Sequence, residues 1–228
     1  MNLPIGEPVD FQPVPRPARE QLHGADVLIR PLDPDRDTAA LYGASHPPDG
    51  DPAVWTYLAE GPYQDVEEMR RALVEQAASE DPLFFSLVPL PGEQPAGIAS
   101  YMRITPHFGV IEIGGIWFGP ALQRTTATTE AIYLLARHAF DDLGYRRLEW
   151  KCNALNEASR RAAVRFGFTF EGVFRNHMVH KGRNRDTAWY AIIDTKWPRI
   201  KMGFERWLAA ENFDSTGRQR QPLAHLIR

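Results

Sequence analysis

Three places in this chain combine side chains whose types and spacing suit chemistry. In "NALNEASRRAAVRFGFTFEGVFR", Asn156 is a good helix N-cap and Ser159 stands at N3. A hydroxyl there either helps the cap or offers its proton outside the helix. Thr125, Thr126, Thr128 and Thr129 crowd "QRTTATTE", by local pattern a threonine-rich N-cap with Glu130 in the first turn. Glu112 lies in "VIEIGGIWF". Apolar surroundings raise a carboxylate's pKa towards that of a useful base, although an edge charge or a salt bridge accounts for the residue equally well. Gly114-Gly115, two residues on, reads as a bulge or as close packing against a neighbour. The single cysteine, Cys152, reads as a small buried residue in an apparent strand.

The elements that must position these groups follow from periodicity. Residues 1–21 are proline-rich and extended, and residues 22–213 form one domain. A polar, basic tail, 214–228, reads as loose. A hairpin at His-Gly-Ala feeds a first strand, Val27–Leu32. Two helices follow, the second amphipathic through Met69, Leu73 and Ala77. The aromatic connector "WTYLAEGPY" lies between them. Strands "LFFSLVPL", "PAGIASYMRI" and "GVIEIGGIWFG" precede the strongest helix, in which Ile132, Leu135, Ala136, Ala139, Phe140 and Leu143 share a stripe. Gly144 ends that helix, and Gly167 ends the one opened by Asn156. "FTFEGVF" alternates like a half-buried strand. "HMVHKGRNRDTAWYAIID" reads as a hairpin turning at Lys181–Asn184, and an amphipathic helix closes the domain. This order predicts mixed α/β packing on a mostly antiparallel sheet.

Composition narrows the function. The 228 residues carry a net charge of −3, which leaves no electrostatic footprint for nucleic acid. No run suits a membrane span, the N-terminus has no signal-peptide pattern, and a lone cysteine suits a reducing cytoplasm. The seven histidines have no metal-ligand spacing.

The element order, with "VIEIGGIWFGP", "QRTTATTEAIYLLARHAF", "RRLEWKCNALNEASRRAAVRFGFTFEGVFR" and "KGRNRDTAWYAIID", resembles the GNAT superfamily of N-acetyltransferases, and within it the RimJ/RimL-type branch. The resemblance covers roughly Val27 to Leu208. It implies helices on both faces of a sheet splayed between the fourth and fifth strands, with acetyl-CoA, or another acyl-CoA, in the cleft. Backbone amides near Ile116, Trp117 and Phe118 would then meet the pantetheine arm and polarise the thioester. The pyrophosphate would lie on Gln123, Arg124, Thr125, Thr126, Ala127 and Thr128, at a helix N-terminus that favours anions. Here threonine stands at 126 where the family pattern has glycine, and Thr128 replaces a smaller residue. Asn156 would contact pantetheine. Ala163 stands where many relatives carry a tyrosine, so Ser159 would protonate the leaving thiolate. Glu112 would take the proton of the incoming ammonium. Glu149 and Glu171 are weaker alternatives. Trp55, Tyr57 and Tyr63, with the segment 177–186, would wall the acceptor pocket, although Trp55 and Tyr57 read equally as core.

The expected activity is acyl transfer from acyl-CoA to a small-molecule or peptide primary amine, by direct attack in a ternary complex. The expected protein is a cytoplasmic monomer or homodimer that uses no metal. The alternative is a non-catalytic CoA-binding or ligand-sensing module whose loop has lost its glycines.

Overall fold

The structure is a computed structural model that describes residues 3–227. Its elements are β1 (Leu22–His23), β2 (Val27–Pro31), α1 (Pro34–Ser45), α2 (Val66–Ala78), β3 (Leu83–Pro89), β4 (Gly97–Thr105), β5 (Val110–Phe118), α3 (Thr126–Arg137), β6 (Arg147–Asn153), α4 (Glu157–Arg165), β7 (Thr169–His180), β8 (Arg183–Ile193), α5 (Trp197–Leu208) and α6 (Leu223–Leu226). The eight strands form one sheet in the order β1-β2-β3-β4-β5-β6-β8-β7. Every adjacent pair is antiparallel except β5 and β6. This is the mixed α/β, mostly antiparallel arrangement expected from the element order.

Two apolar clusters hold helices to the sheet. One joins Ile111, Ile113, Leu148, Trp150 and Tyr190 to α3 and α5 through residues such as Leu135 and Phe204. The other joins Leu41 of α1, Met69 and Leu73 of α2, Trp55 and Trp117. Polar anchors fix the packing. The buried Arg30 of β2 pairs with the buried Asp37 of α1, which also accepts from Ser86. Glu130, in the first turn of α3, accepts from the backbone amides of Ala25, Asp26 and Val27 at 2.8, 2.7 and 3.0 Å. A side chain on Gly24 would overlap that carboxylate, so the β1–β2 turn and α3 are locked as one piece.

The predicted helix ends hold. Gly144 and Gly167 adopt φ of 79° and 89°, the left-handed conformation that closes a helix without steric cost for glycine. Two expectations change. From Thr169 on, "FTFEGVF" and "HMVH" belong to one continuous strand, β7, at the sheet edge and almost wholly exposed, rather than half-buried. The segment from Asp214 is not loose. Leu223 and Ile227 enter the core, and Asn212 ties Trp207 to Gln221 through its amide. The proline-rich N-terminal segment is extended and runs along the surface. It is held by Arg16 to the carbonyls of Ile104 and Glu80, and by Arg19 to that of Ser79.

Candidate active site

The site begins where two strands part company. β5 and β6 pair only at Val110–Arg147, Ile111–Leu148 and Glu112–Glu149. Beyond that point β5 stays with β4 and β6 with β8. At the same level β5 carries a bulge, because Ser100 opposes Gly114 while Ile98 opposes Trp117. Both readings of Gly114-Gly115 hold. Gly115 takes φ 60°, and a side chain on Gly114 would collide with the Met102 sulfur.

On the α3 side lies an open groove of about 1680 Å³. Ile116, Trp117 and Phe118 line it with Gln123, Arg124, Thr125, Thr126 and Thr128. Ala127 is absent from the lining because its side chain is buried in the core. Thr125 caps α3, its hydroxyl oxygen accepting from the Thr128 amide at 3.4 Å and its proton going to the Leu122 carbonyl at 2.7 Å. The Thr128 hydroxyl also donates to Leu122. The left-handed residue in this loop is Arg124, with φ 62°, and Thr126 begins the helix. Threonine at 126 therefore imposes no backbone strain. Ala158, Ala162 and Arg165 of α4 supply the opposite wall, and Phe213, Asp214 and Gly217–Gln219 supply a third. Sequence reasoning missed Arg165 and Arg218. An arginine in the last turn of a helix signals only a favourable dipole contact, and the C-terminal residues reach the groove through tertiary packing alone.

Asn156 and Ser159 do not line this groove. Asn156 is the predicted cap, its side-chain oxygen accepting from the Ser159 amide at 3.0 Å. The Ser159 hydroxyl is free of the cap. Its oxygen accepts from the Trp150 indole at 2.9 Å. Burial pushes the Cys152 thiol up from its ordinary range.

On the α2 side, Glu112 is 2% exposed and surrounded by charge rather than by apolar groups. Arg103 and Lys151 approach it at 2.6 and 3.0 Å. Lys151 also meets Glu149 at 2.5 Å, and Arg147 links Glu149 to Glu171 at 2.8 and 2.5 Å. The result is a six-member ion chain across β4, β5, β6 and β7. Trp55 is buried, 5.3 Å from the Trp117 ring and 5.1 Å from that of Tyr63. Trp55 and Trp117 share a cavity of about 310 Å³ with Phe84, Ser100, Met102 and Gly115. Tyr63 is buried, and its hydroxyl donates to Glu60 at 2.8 Å. Burial and that carboxylate hold its phenol far above the usual range. Tyr57 donates to the Leu155 carbonyl at 3.3 Å, bridging the connector to the loop before α4. Of the three predicted wall residues, only Trp55 faces this cavity.

Among the described residues no His, Cys, Asp or Glu cluster suits a metal ion, and no helix is long and apolar enough to cross a membrane.

Comparison with known proteins agrees with this geometry. The family model described as an acetyltransferase (GNAT) domain matches residues 26–169. A GCN5-related N-acetyltransferase from Brucella melitensis is 44% identical, with a TM-score of 0.93 over 96% of this chain and 98% of that one. A structure titled a probable acetyltransferase of the GNAT family, from Chromobacterium violaceum, is 36% identical, with a TM-score of 0.78 over 86% of this chain and 100% of that one. The Bacillus subtilis protein YoaA, named as an uncharacterized N-acetyltransferase, is 34% identical over 32% of this chain and 42% of its own length. The chain thus spans less than half the length of the curated relatives it matches, at 45% and 42%. With the parted strands, the β5 bulge and the groove at the N-terminus of α3, these matches make the chain a member of the GNAT acetyltransferase family.

Proposed function

We propose that this chain transfers an acyl group, most simply acetyl, from acyl-CoA to a primary amine by direct attack in a ternary complex. The observation that carries the reading is the coincidence at one level of three features: the end of the β5–β6 ladder, the Gly115 bulge, and a groove leading to the N-terminus of α3. The groove fits an elongated anionic co-substrate. It combines a helix N-terminus, which favours phosphate, with the cations Arg124, Arg165 and Arg218. Acyl-CoA supplies the activated thioester, and the remaining roles fall to side chains of this chain. The β5 amides past Gly115, without a β6 neighbour, are suited to polarise a carbonyl oxygen. Ser159, whose hydroxyl proton is not used by the helix cap, is suited to give a proton to the leaving sulfur. Glu112 receives a proton from the amine, with Arg103 and Lys151 orienting its carboxylate.

The glycine-less loop, which favoured a non-catalytic module, loses its force because Thr126 is helical. The test is thiol release from acetyl-CoA with a panel of amines, each product identified by mass spectrometry. The expected result is one acetylated amine per thiol released. Tight CoA binding with no transfer to any amine overturns the enzyme reading in favour of the module. Ser159→Ala should lower kcat and leave CoA affinity nearly unchanged, since it removes a contact made chiefly in the transition state.

A further inference from the structure

The β7–β8 hairpin holds three buried side-chain nitrogens with no hydrogen-bond partner among the described residues: His180 Nε2, Arg185 Nε and Trp189 Nε1. Strand register sets them on one face. His180 opposes Arg183, Met178 opposes Arg185, and Trp189 opposes Lys151; opposed residues, and every second residue along a strand, point the same way. This is the face of the ion chain. The Lys151 ammonium sits 3.9 Å from the Trp189 ring centroid and 3.0 Å from Glu112.

The charges on this face do not balance. Arg103, Lys151 and Arg147 are each engaged by Glu112, Glu149 or Glu171. Arg185 has no ion pair or side-chain hydrogen bond among the described residues, although it is partly buried. Burial lowers its pKa from the usual range. A buried guanidinium N–H beside other unpartnered donors is costly unless a ligand supplies the acceptors. A carboxylate matches that planar fork in two parallel bonds. Lys181 binds the connector carbonyls and Tyr57 binds Leu155, so the hairpin tip and the loop before α4 are both tied to the connector.

Resting on the N-acyltransferase reading above, we propose that the amine acceptor is a small amino acid-like molecule. Its carboxylate is held by Arg185 with Trp189 and His180, and its amine is turned towards Glu112.

The test compares common amino acids, their α-amides and the corresponding decarboxylated amines. Calorimetry on the CoA-loaded protein measures binding, and mass spectrometry with acetyl-CoA measures transfer. At least one amino acid should bind and be acetylated, with kcat/KM for its amide lower by about tenfold or more. R185Q should abolish this preference, chiefly by raising KM, while R185K keeps part of it. CoA affinity, which reports folding, should be unchanged in both; should R185Q fail to fold, R185K alone must still narrow the acid-to-amide ratio. Amides or decarboxylated amines that react as well as acids overturn the anion site and leave N-acyl transfer standing. Selective binding of acids without transfer overturns the enzyme reading and leaves the anion site standing. Reaction with peptide amines only, binding by no amino acid, or an unchanged preference in R185Q and R185K overturns the proposal.

Discussion

The Lys181 ammonium binds the backbone carbonyl of Trp55 at 2.9 Å, and continues to Gly61 at 2.7 Å and Glu60 at 3.3 Å. It thereby latches the tip of the β7–β8 hairpin to the connector between α1 and α2. Its position is set locally, because Lys181 and Gly182 take φ of 47° and 72° in the turn. Lys181→Met keeps the stem and removes the donor. Acceptor KM should rise by about tenfold, or ~1.4 kcal/mol, with CoA affinity unchanged. Hydrogen exchange at the connector amides, 55–61, should quicken. Unchanged exchange there would make the latch ornamental.

Glu112→Gln removes the proposed proton acceptor and leaves Arg103 and Lys151 facing a neutral amide. The rate should fall most at neutral pH. The defect should shrink as pH approaches the amine's own pKa, where free base is abundant. A wild-type pH–rate profile would make Glu112 purely structural, as a member of the ion chain.

At the groove, Thr125→Val loses the N-cap of α3 and should cost about 1 kcal/mol in denaturant unfolding. Thr126→Gly should not tighten CoA binding, because residue 126 is already helical and residue 124 carries the positive φ. Tighter binding in Thr126→Gly, read by calorimetry, would mean that the loop changes shape on binding.

Glu130 satisfies three backbone amides at once. Glu130→Ala strands these partly buried donors and should destabilise the protein by about 2–4 kcal/mol. Gly24→Ala should also destabilise it, by overlap with the same carboxylate. Because both act on one contact, their effects should be less than additive in a double-mutant cycle.

Arg147, through its hydrogen bonds, holds the Glu171 carboxyl below its ordinary value near 4.5. A lowered folded-state pKa means that the folded state binds fewer protons than the unfolded state. The stabilisation is therefore complete above about pH 4.5 and is lost as pH falls through the folded value. Since Glu171 is 39% exposed, screening keeps the effect to about 0–1 kcal/mol. Glu171→Gln should flatten this part of the acid unfolding curve and leave stability nearly unchanged once the pH is below the folded value.

Much of the frame was legible because it is local. Asn156, Gly144 and Gly167 cap or end helices through contacts within a few residues, so type and spacing suffice. Gly114-Gly115 announced an irregular strand for a similar reason: glycine alone is indifferent to positive φ and to close approach. The loop at Thr126 was half legible. Its helix start could be read, but the shift of the left-handed residue to Arg124 depends on how Leu122 and Gly119 terminate β5.

What escaped reading depends on partners far apart in the chain. Alternation in "FTFEGVF" reports side-chain polarity, whereas exposure depends on β7 lying at the sheet edge. Glu112 looked apolar in its surroundings because its neighbours in sequence are apolar. Its neighbours in space, Arg103 and Lys151, arrive on other strands. The third wall of the groove is likewise invisible in sequence, because residues 213–219 reach it only when Leu223 and Ile227 dock in the core. Arg185 reads from sequence as one charge in a polar hairpin. Strand register and burial, which are properties of the assembled sheet, turned it into a cation without a counter-charge on the face of the ion chain.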